Sequence, residues 1–289
     1  MGQHEAPTLV PLGLAGGQGK STVALITGRI LARCGIPVLF VDADPQASLT
    51  AFLGVDPGDR PSLIDVFTKP EKRLKLLNAI HTVPGDDNLF LIPATEDLES
   101  ANHFLAASGK SVPLLRNRLY QVGVDGISPD ERVVNNFGIV IIDPPPERSH
   151  LALTSLGSGN AWVVPAEANV KGVQSLVRTL QLIQDYQAES PQGFLAGVIP
   201  FRGKWVGLHP TGTTKNSMKV MEEIAGSEKM LPHLLESDVY KRAINDQVLP
   251  RDLGQPGLEY PLITLIQRIK HLLGPYAEQI PAQAEVALK

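Results

Sequence analysis

The sequence predicts an α/β fold: a doubly wound, mostly parallel sheet with helices on both faces. Two observations carry that reading. The first forty residues spell strand, glycine-rich turn, helix, strand, which is a βαβ unit and makes its two strands parallel. The apolar runs that follow are continuous rather than alternating, as in strands covered on both faces. At 289 residues, 43% of them hydrophobic, the chain is long enough for a sizeable core and reads as a single domain over 1–289.

The elements follow in order. Thr8 to Leu14 is an apolar run entering the turn Ala15 to Thr22. From Lys20 onward Val23, Ile26, Thr27, Ile30, Leu31 and Cys34 recur at helical spacing, and Gly35 stands where a helix commonly ends on a left-handed glycine. Pro37 to Val41 is the second strand and ends at Asp42. Downstream, Asn88 to Ile92, Gly138 to Ile142, Ala161 to Val164 and Phe194 to Pro200 read as strands. Thr95 to Leu105 and Gly172 to Tyr186 read as helices. Gly54 to Arg60 and Phe201 to Asn216 read as loops from their Gly, Pro, Thr and Lys content. Leu262 to Leu273 carries an apolar stripe suited to core packing, Gly274-Pro275 ends it, and residues 275–289 read as a frayed tail.

Composition excludes several classes of function. A formal charge of −4 rules out a strongly cationic nucleic-acid binder of the histone kind and leaves only a local basic patch. The single cysteine, Cys34, can build neither an internal disulfide framework nor a four-cysteine metal site, so a reducing cytoplasm is expected. No run approaches the apolar length of a membrane span.

The turn Gly16-Gly17-Gln18-Gly19-Lys20-Ser21-Thr22 carries the chemistry. Glycines let the backbone approach closely, successive N–H groups point at one spot, and the following helix adds its positive end. Such a loop holds phosphate. Lys20 is expected on the β and γ phosphates, the Ser21 hydroxyl on Mg²⁺, and Thr22 on the α-phosphate. A dinucleotide loop is the competing reading, but Thr22 stands where its third glycine belongs. Two strand-end carboxylates support the triphosphate. Asp143 closes the run Gly138 to Ile142 and is the expected Mg²⁺ ligand. Asp42, in Asp42-Ala43-Asp44-Pro45-Gln46, is the expected water-orienting group, with Asp44 next in line.

Ala15 to Thr22, Asp42 to Gln46 and Ile142-Asp143-Pro144-Pro145 resemble the deviant Walker A, Walker A′ and Walker B boxes of the ParA/MinD ATPases. Weaker echoes at Leu91 to Ala94, Val163 to Glu167 and Leu231 to Pro250 extend the likeness over nearly the whole chain. The resemblance implies a P-loop NTPase fold, ATP and Mg²⁺ as cofactors, and slow hydrolysis to ADP and phosphate. It also implies a homodimer formed on ATP binding, non-specific DNA as a partner, and a cargo-adaptor protein that stimulates hydrolysis. The location it implies is cytoplasmic and nucleoid-associated. The helix from Leu262 could serve as a MinD-type membrane anchor, but its few basic residues, Arg268, Lys270 and His271, and the Pro-containing tail favour core packing and no membrane partner. Pro200, at the end of the Phe194 to Pro200 run, joins the expected nucleotide-binding positions.

One position departs from the family pattern: Ala15 stands where the family's signature lysine reaches across the dimer. In this the chain resembles the carboxysome-positioning, McdA-type branch more than plasmid or chromosome partition proteins. Lys171 is the expected replacement for the missing charge and Arg148 the alternative. The expected DNA surface is Arg202, Lys204, Lys215, Lys219, Lys241, Arg242 and Arg251, with contacts to phosphates rather than base edges. A metabolic P-loop ATPase of the synthetase or reductase type and a binding-only nucleotide switch are the rival functions. A reductase holding an iron–sulfur cluster needs cysteines that Cys34 alone does not supply.

Overall fold

The computed structural model describes residues 4–281 apart from 110 and 208. Its strands are β1 (Thr8–Pro11), β2 (Val38–Asp42), β3 (His81–Val83), β4 (Asp86–Ile92), β5 (Ile139–Asp143), β6 (Ala161–Glu167), β7 (Phe194–Gly203), β8 (Trp205–Val206), β9 (His209–Pro210) and β10 (Leu234–Leu235). The helices are α1 (Lys20–Arg33), α2 (Ser48–Phe52), α3 (Leu63–Thr68), α4 (Ala101–Ala107), α5 (Ser111–Leu119), α6 (His150–Ser158), α7 (Val170–Tyr186), α8 (Gly212–Ala225), α9 (Asp238–Asn245) and α10 (Tyr260–Ile269). Eight strands form one sheet in the order β10-β7-β6-β1-β5-β2-β4-β3, and β8 pairs with β9 in a separate hairpin. Every neighbour in the large sheet is parallel except β3, which runs antiparallel to β4.

The continuous apolar runs divide between two cores because successive strand side chains point to opposite faces. Leu9, Val38, Phe40, Ile139 and Ile141 face α1 and α10. Val10, Leu39, Val41, Val140 and Ile142 face α3 to α7. Both faces are therefore covered, as a doubly wound sheet requires. The apolar stripe of α10 is buried through Leu262, Leu265, Ile266 and Ile269, so it is a core helix.

Three expectations need correction. Phe201 to Asn216 is not an open loop: β7 runs through Gly203, the β8–β9 hairpin follows, and α8 begins at Gly212. The buried side of α8 includes the small polar residues Thr214 and Ser217 beside Met221, so no apolar period announced it. The segment Thr95 to Leu105 is split into a 3₁₀ turn over Glu96–Ser100 and then α4. The tail does not fray at 275: Gly274–Gln279 forms a 3₁₀ turn and Ile280 is buried, while residues 282–289 lie outside the described residues.

The sheet edges are short and irregular. β3 has three residues and a register shift at Thr82/Val83, and β10 has two residues with a shift between them. Where β10 does not reach, the Arg268 guanidinium donates to the carbonyl oxygens of Ala196 on β7 and of Lys229 and Met230 beside it.

The position of α1 matters most for the site, since its first residue is Lys20. It lies flat on β2 because Gly28 has no side chain; a Cβ there would sit 2.1 Å from the Phe40 ring. Gly28→Ala must push that ring or lift the helix, an overpacking that costs roughly 1–3 kcal/mol. Urea unfolding should give a lower midpoint with an unchanged slope. A midpoint equal to wild type would mean that the α1–β2 contact tolerates a methyl group.

Candidate functional site

The carboxyl ends of β1, β5, β2, β6 and β7 meet at one rim, where open α/β sheets bind their ligands. β1 leads there into the glycine turn, and α1 leaves it. Gly17 and Gly19 take left-handed backbone angles, φ 77° and 95°, which favour glycine. Gly19 is doubly constrained, because a Cβ on it would approach the Phe201 ring to 2.8 Å. Residues Gly16 to Thr22 line an open cleft of about 670 Å³ with Asp44, Ser48, Phe52, Pro146, Phe201 and Arg202.

Gln18 is fully buried, and its side chain faces the protein rather than the cleft. Its Nε2 donates to the Gly16 carbonyl at 3.5 Å, and its Oε1 accepts from the Glu167 backbone N–H at 2.8 Å. That bond ties the glycine turn to the end of β6 and leaves the Gln18 backbone for a ligand.

Asp42 and Asp143 are direct neighbours in the β2–β5 register, and both are buried. Burial pushes the Asp42 carboxyl up to about 7, helped by the negative charge of Asp143. The Thr50 hydroxyl and N–H, which both donate to Asp42 Oδ2 at 2.7 and 2.8 Å, and the Asp44 N–H oppose that shift. Burial also pushes Asp143 up to about 6, against the Ser21 hydroxyl and the Lys20 ammonium. Neither Asp143 oxygen completes a hydrogen bond. Lys20 is itself buried, which draws its ammonium down, while Asp143 and then Asp44 hold it up.

Two buried carboxylate oxygens without donors, beside a serine hydroxyl at the start of a helix, fit a hard oxygen-seeking cation. A Mg²⁺ ion takes one or two protein oxygens and completes its shell with water and phosphate. Asp143 and Ser21 are the residues that would hold it. Among the described residues there is no cluster of three or more His, Cys, Asp or Glu that would make a metal centre of another kind.

The remaining expected positions are spread more widely. Pro200 is buried in β7, next to Phe201 of the cleft wall. Lys171 is exposed in the first turn of α7, which Asn169 caps by accepting from the Gly172 N–H at 2.8 Å. Lys204, Lys215, Lys219, Lys241 and Arg242 are exposed on the segment from β7 through α9. Arg202 lines the cleft itself. Arg251 is committed elsewhere: it donates to the fully buried Glu259 through Nε at 2.8 Å and pairs through Nη2 at 2.7 Å. Sequence reasoning passed over Thr50, eight residues after Asp42, and Phe201. Neither belongs to a charged or glycine-rich pattern, so composition gave no signal for them.

A family model described as an AAA domain matches residues 12–191. The maintenance of carboxysome distribution protein A of Synechococcus elongatus is 39% identical over 264 residues, covering 91% of this chain and 98% of that protein. The protein of the same name from Gloeothece citriformis is 36% identical, over 92% of this chain and 96% of its own length. The structure of an aspartate-to-alanine variant of Cyanothece McdA in complex with ATP matches with a TM-score of 0.83 at 35% identity, over 92% of this chain and 97% of that one. The likeness runs over nearly the full length of these relatives, and the chain belongs to the ParA/MinD family of P-loop ATPases, on its McdA-type branch.

Proposed function

We propose that the chain, acting over residues 1–289 as one domain, is a slow Mg²⁺-dependent ATPase that works as a positional switch. ATP binding drives homodimerisation, the dimer holds nucleoid DNA without sequence preference, and a cargo-adaptor protein stimulates hydrolysis and release. The observation that carries this reading is that Lys20 and Asp44 line one open cleft floored by the glycine turn, with the buried Asp143 acting on the Lys20 ammonium from beneath it. The names of the 39% and 36% identical relatives support a carboxysome-type cargo, and the cytoplasmic, nucleoid-associated setting is part of the same proposal. No helix among the described residues is long and apolar enough to cross a membrane, and the switch needs no membrane partner.

The backbone N–H groups of Gly16 to Thr22 and the start of α1 bind the phosphate chain, and Lys20 places its charge on the β and γ phosphates. Bound Mg²⁺ supplies positive charge against the phosphate oxygens. A water molecule must then be aligned with the γ-phosphorus. Asp42, the expected group, is fully buried with one oxygen taken by Thr50, whereas Asp44 lines the cleft. The water-orienting role therefore passes to Asp44, and Asp42 acts beneath it as a buried carboxyl that holds the strand end. Two triphosphates brought face to face need more cation than Lys20 provides. The exposed Lys171, in a first helical turn where the macrodipole disfavours it, supplies that charge across the dimer. Lys204, Lys215 and Lys219, with Lys241 and Arg242, form the DNA surface.

Sedimentation with mixed-sequence DNA in ATP, in ADP and without nucleotide tests the switch; co-sedimentation that ignores the nucleotide would sink it. Neutralising Lys204, Lys215 and Lys219 together should lower the log–log salt slope by roughly one unit for each DNA phosphate that is no longer neutralised. An unchanged slope would move the DNA surface to α9.

Asp44→Asn should keep ATP binding and reduce hydrolysis by about 10²- to 10⁴-fold. Loss of turnover in Asp42→Asn but not in Asp44→Asn would return the role to Asp42.

Asp42→Asn should also change stability. A carboxyl whose folded value is raised favours the folded protonated state, so its contribution falls as pH rises from about 4, the ordinary carboxylate value, to about 7. Without nucleotide, Asp42→Asn should melt above wild type at pH 8 and show a smaller advantage at pH 4. An advantage that is the same at both pH values would place the effect outside ionisation.

Lys171→Ala should impair dimerisation with a non-hydrolysable ATP analogue while monomeric binding persists. Identical size-exclusion profiles for variant and wild type would direct attention to Arg148.

A further inference from the structure

The sequence groups Arg202 with the DNA-facing cations, and the fold sets it at a junction of two cavities. It lies between the phosphate-loop cleft and a second open cavity of about 660 Å³ lined by Thr22, Leu235, Ser237, Tyr240 and Lys241. Among the described residues only Thr22, Phe201 and Arg202 line both. Arg202 is also one of four non-glycine residues described with positive φ, at 49°, so the chain bends at the exit of β7 to present this side chain to the junction.

The guanidinium is parked in two ways. It lies over the Phe201 ring, 5.2 Å from the centroid, and that ring is itself wedged against Gly19. Its Nη1 is 3.6 Å from Glu167 Oε1, on the neighbouring strand and in register with Phe201. This ion pair is loose, since a well-formed charge-assisted bond closes to about 2.7–2.9 Å. Glu167 does not depend on it. Its backbone N–H is held by Gln18 and its Oε2 accepts from Asn169 at 3.0 Å.

We propose that Arg202 is a nucleotide-binding side chain held in reserve by Glu167, and that the phosphates of the bound nucleotide draw its guanidinium off that carboxylate. A planar guanidinium matches phosphate oxygens in pairs, and a polyphosphate carries more charge than one carboxylate. Displacement needs only rotation of the Arg202 side chain along the Phe201 face. The inference rests on the reading of the cleft as a nucleotide site and adds to it a cation from outside the phosphate loop, with Glu167 as its competitor.

A double-mutant cycle tests it, with ATP affinity measured through a fluorescent analogue and, separately, through adenosine competition. Arg202→Ala should weaken ATP binding about tenfold, as loss of a charge-assisted bond does. Glu167→Gln keeps the shape and the Asn169 contact, and should tighten binding a few-fold by freeing Arg202. The double variant should bind like Arg202→Ala alone, and neither residue should matter for adenosine. Melting curves without nucleotide report folding, and Lys20→Ala reports the parent reading. If wild type binds ATP and Lys20→Ala does not, yet Arg202→Ala binds normally, the inference is wrong and the nucleotide site stands. If Lys20→Ala binds ATP as wild type does, the parent reading fails instead. Unchanged or weaker binding by Glu167→Gln would overturn the reserve. An equal loss for adenosine would make Arg202 a base-stacking residue, and a defect in DNA co-sedimentation alone would return it to the DNA surface.

Discussion

Two carboxyl groups side by side in a dry sheet, Asp42 and Asp143, set the terms for the rest of the molecule. Neither ionises freely where it sits, because burial favours the protonated form of both, with the charge of Asp143 adding to it at Asp42 and that of Asp44 at Asp143. The register of β2 against β5 fixes them as neighbours, and that register exists because the order β1-β5-β2 inserts the fifth strand between the first two. Thr50 satisfies one of them with two donors. The other is left facing Ser21 and Lys20 with no hydrogen bond completed. A rigid sheet thus keeps at its carboxyl edge a buried acid whose oxygens complete no hydrogen bond, set against the Lys20 ammonium and the start of α1.

The opposite charge is distributed rather than concentrated. Lys20 is buried with the acids, Arg202 waits at the cleft margin, and Lys171 stands exposed at the head of α7. Gln18 and Glu167 connect these places through a single backbone-to-side-chain bond, so the phosphate loop and the start of α7 are mechanically linked across β6.

The motifs were legible because their physics is local. A glycine turn between a strand and a helix needs only sequence neighbours, and Asp42 and Asp143 stand at strand ends that continuous apolar runs announce. What stayed hidden depends on tertiary placement. Whether Asp42 or Asp44 meets the cleft is decided by Thr50, whose hydroxyl closes on Asp42 from α2. The surroundings of Arg202 and Arg251 were hidden for a similar reason: one lines the cleft, and the other pairs with Glu259, which is wholly buried. Helix α8 escaped notice because Thr214 and Ser217 take buried positions where apolar residues would have shown a period, and Thr214 Oγ1 spends its capacity on the Lys204 N–H. Edge strand β3 has three residues, too few for a pattern.

The guarded edges of the sheet restrict how copies of this chain can associate. With β3 and β10 short and out of step, and the open carbonyl groups beside β7 already claimed by Arg268, the described residues leave no long row of backbone donors and acceptors to recruit a strand from another molecule. Self-templated sheet growth, the usual hazard when many identical α/β molecules crowd together, is thereby disfavoured. Association is left to side chains at the rim and on the helices, where contacts can be made and broken without unravelling the fold.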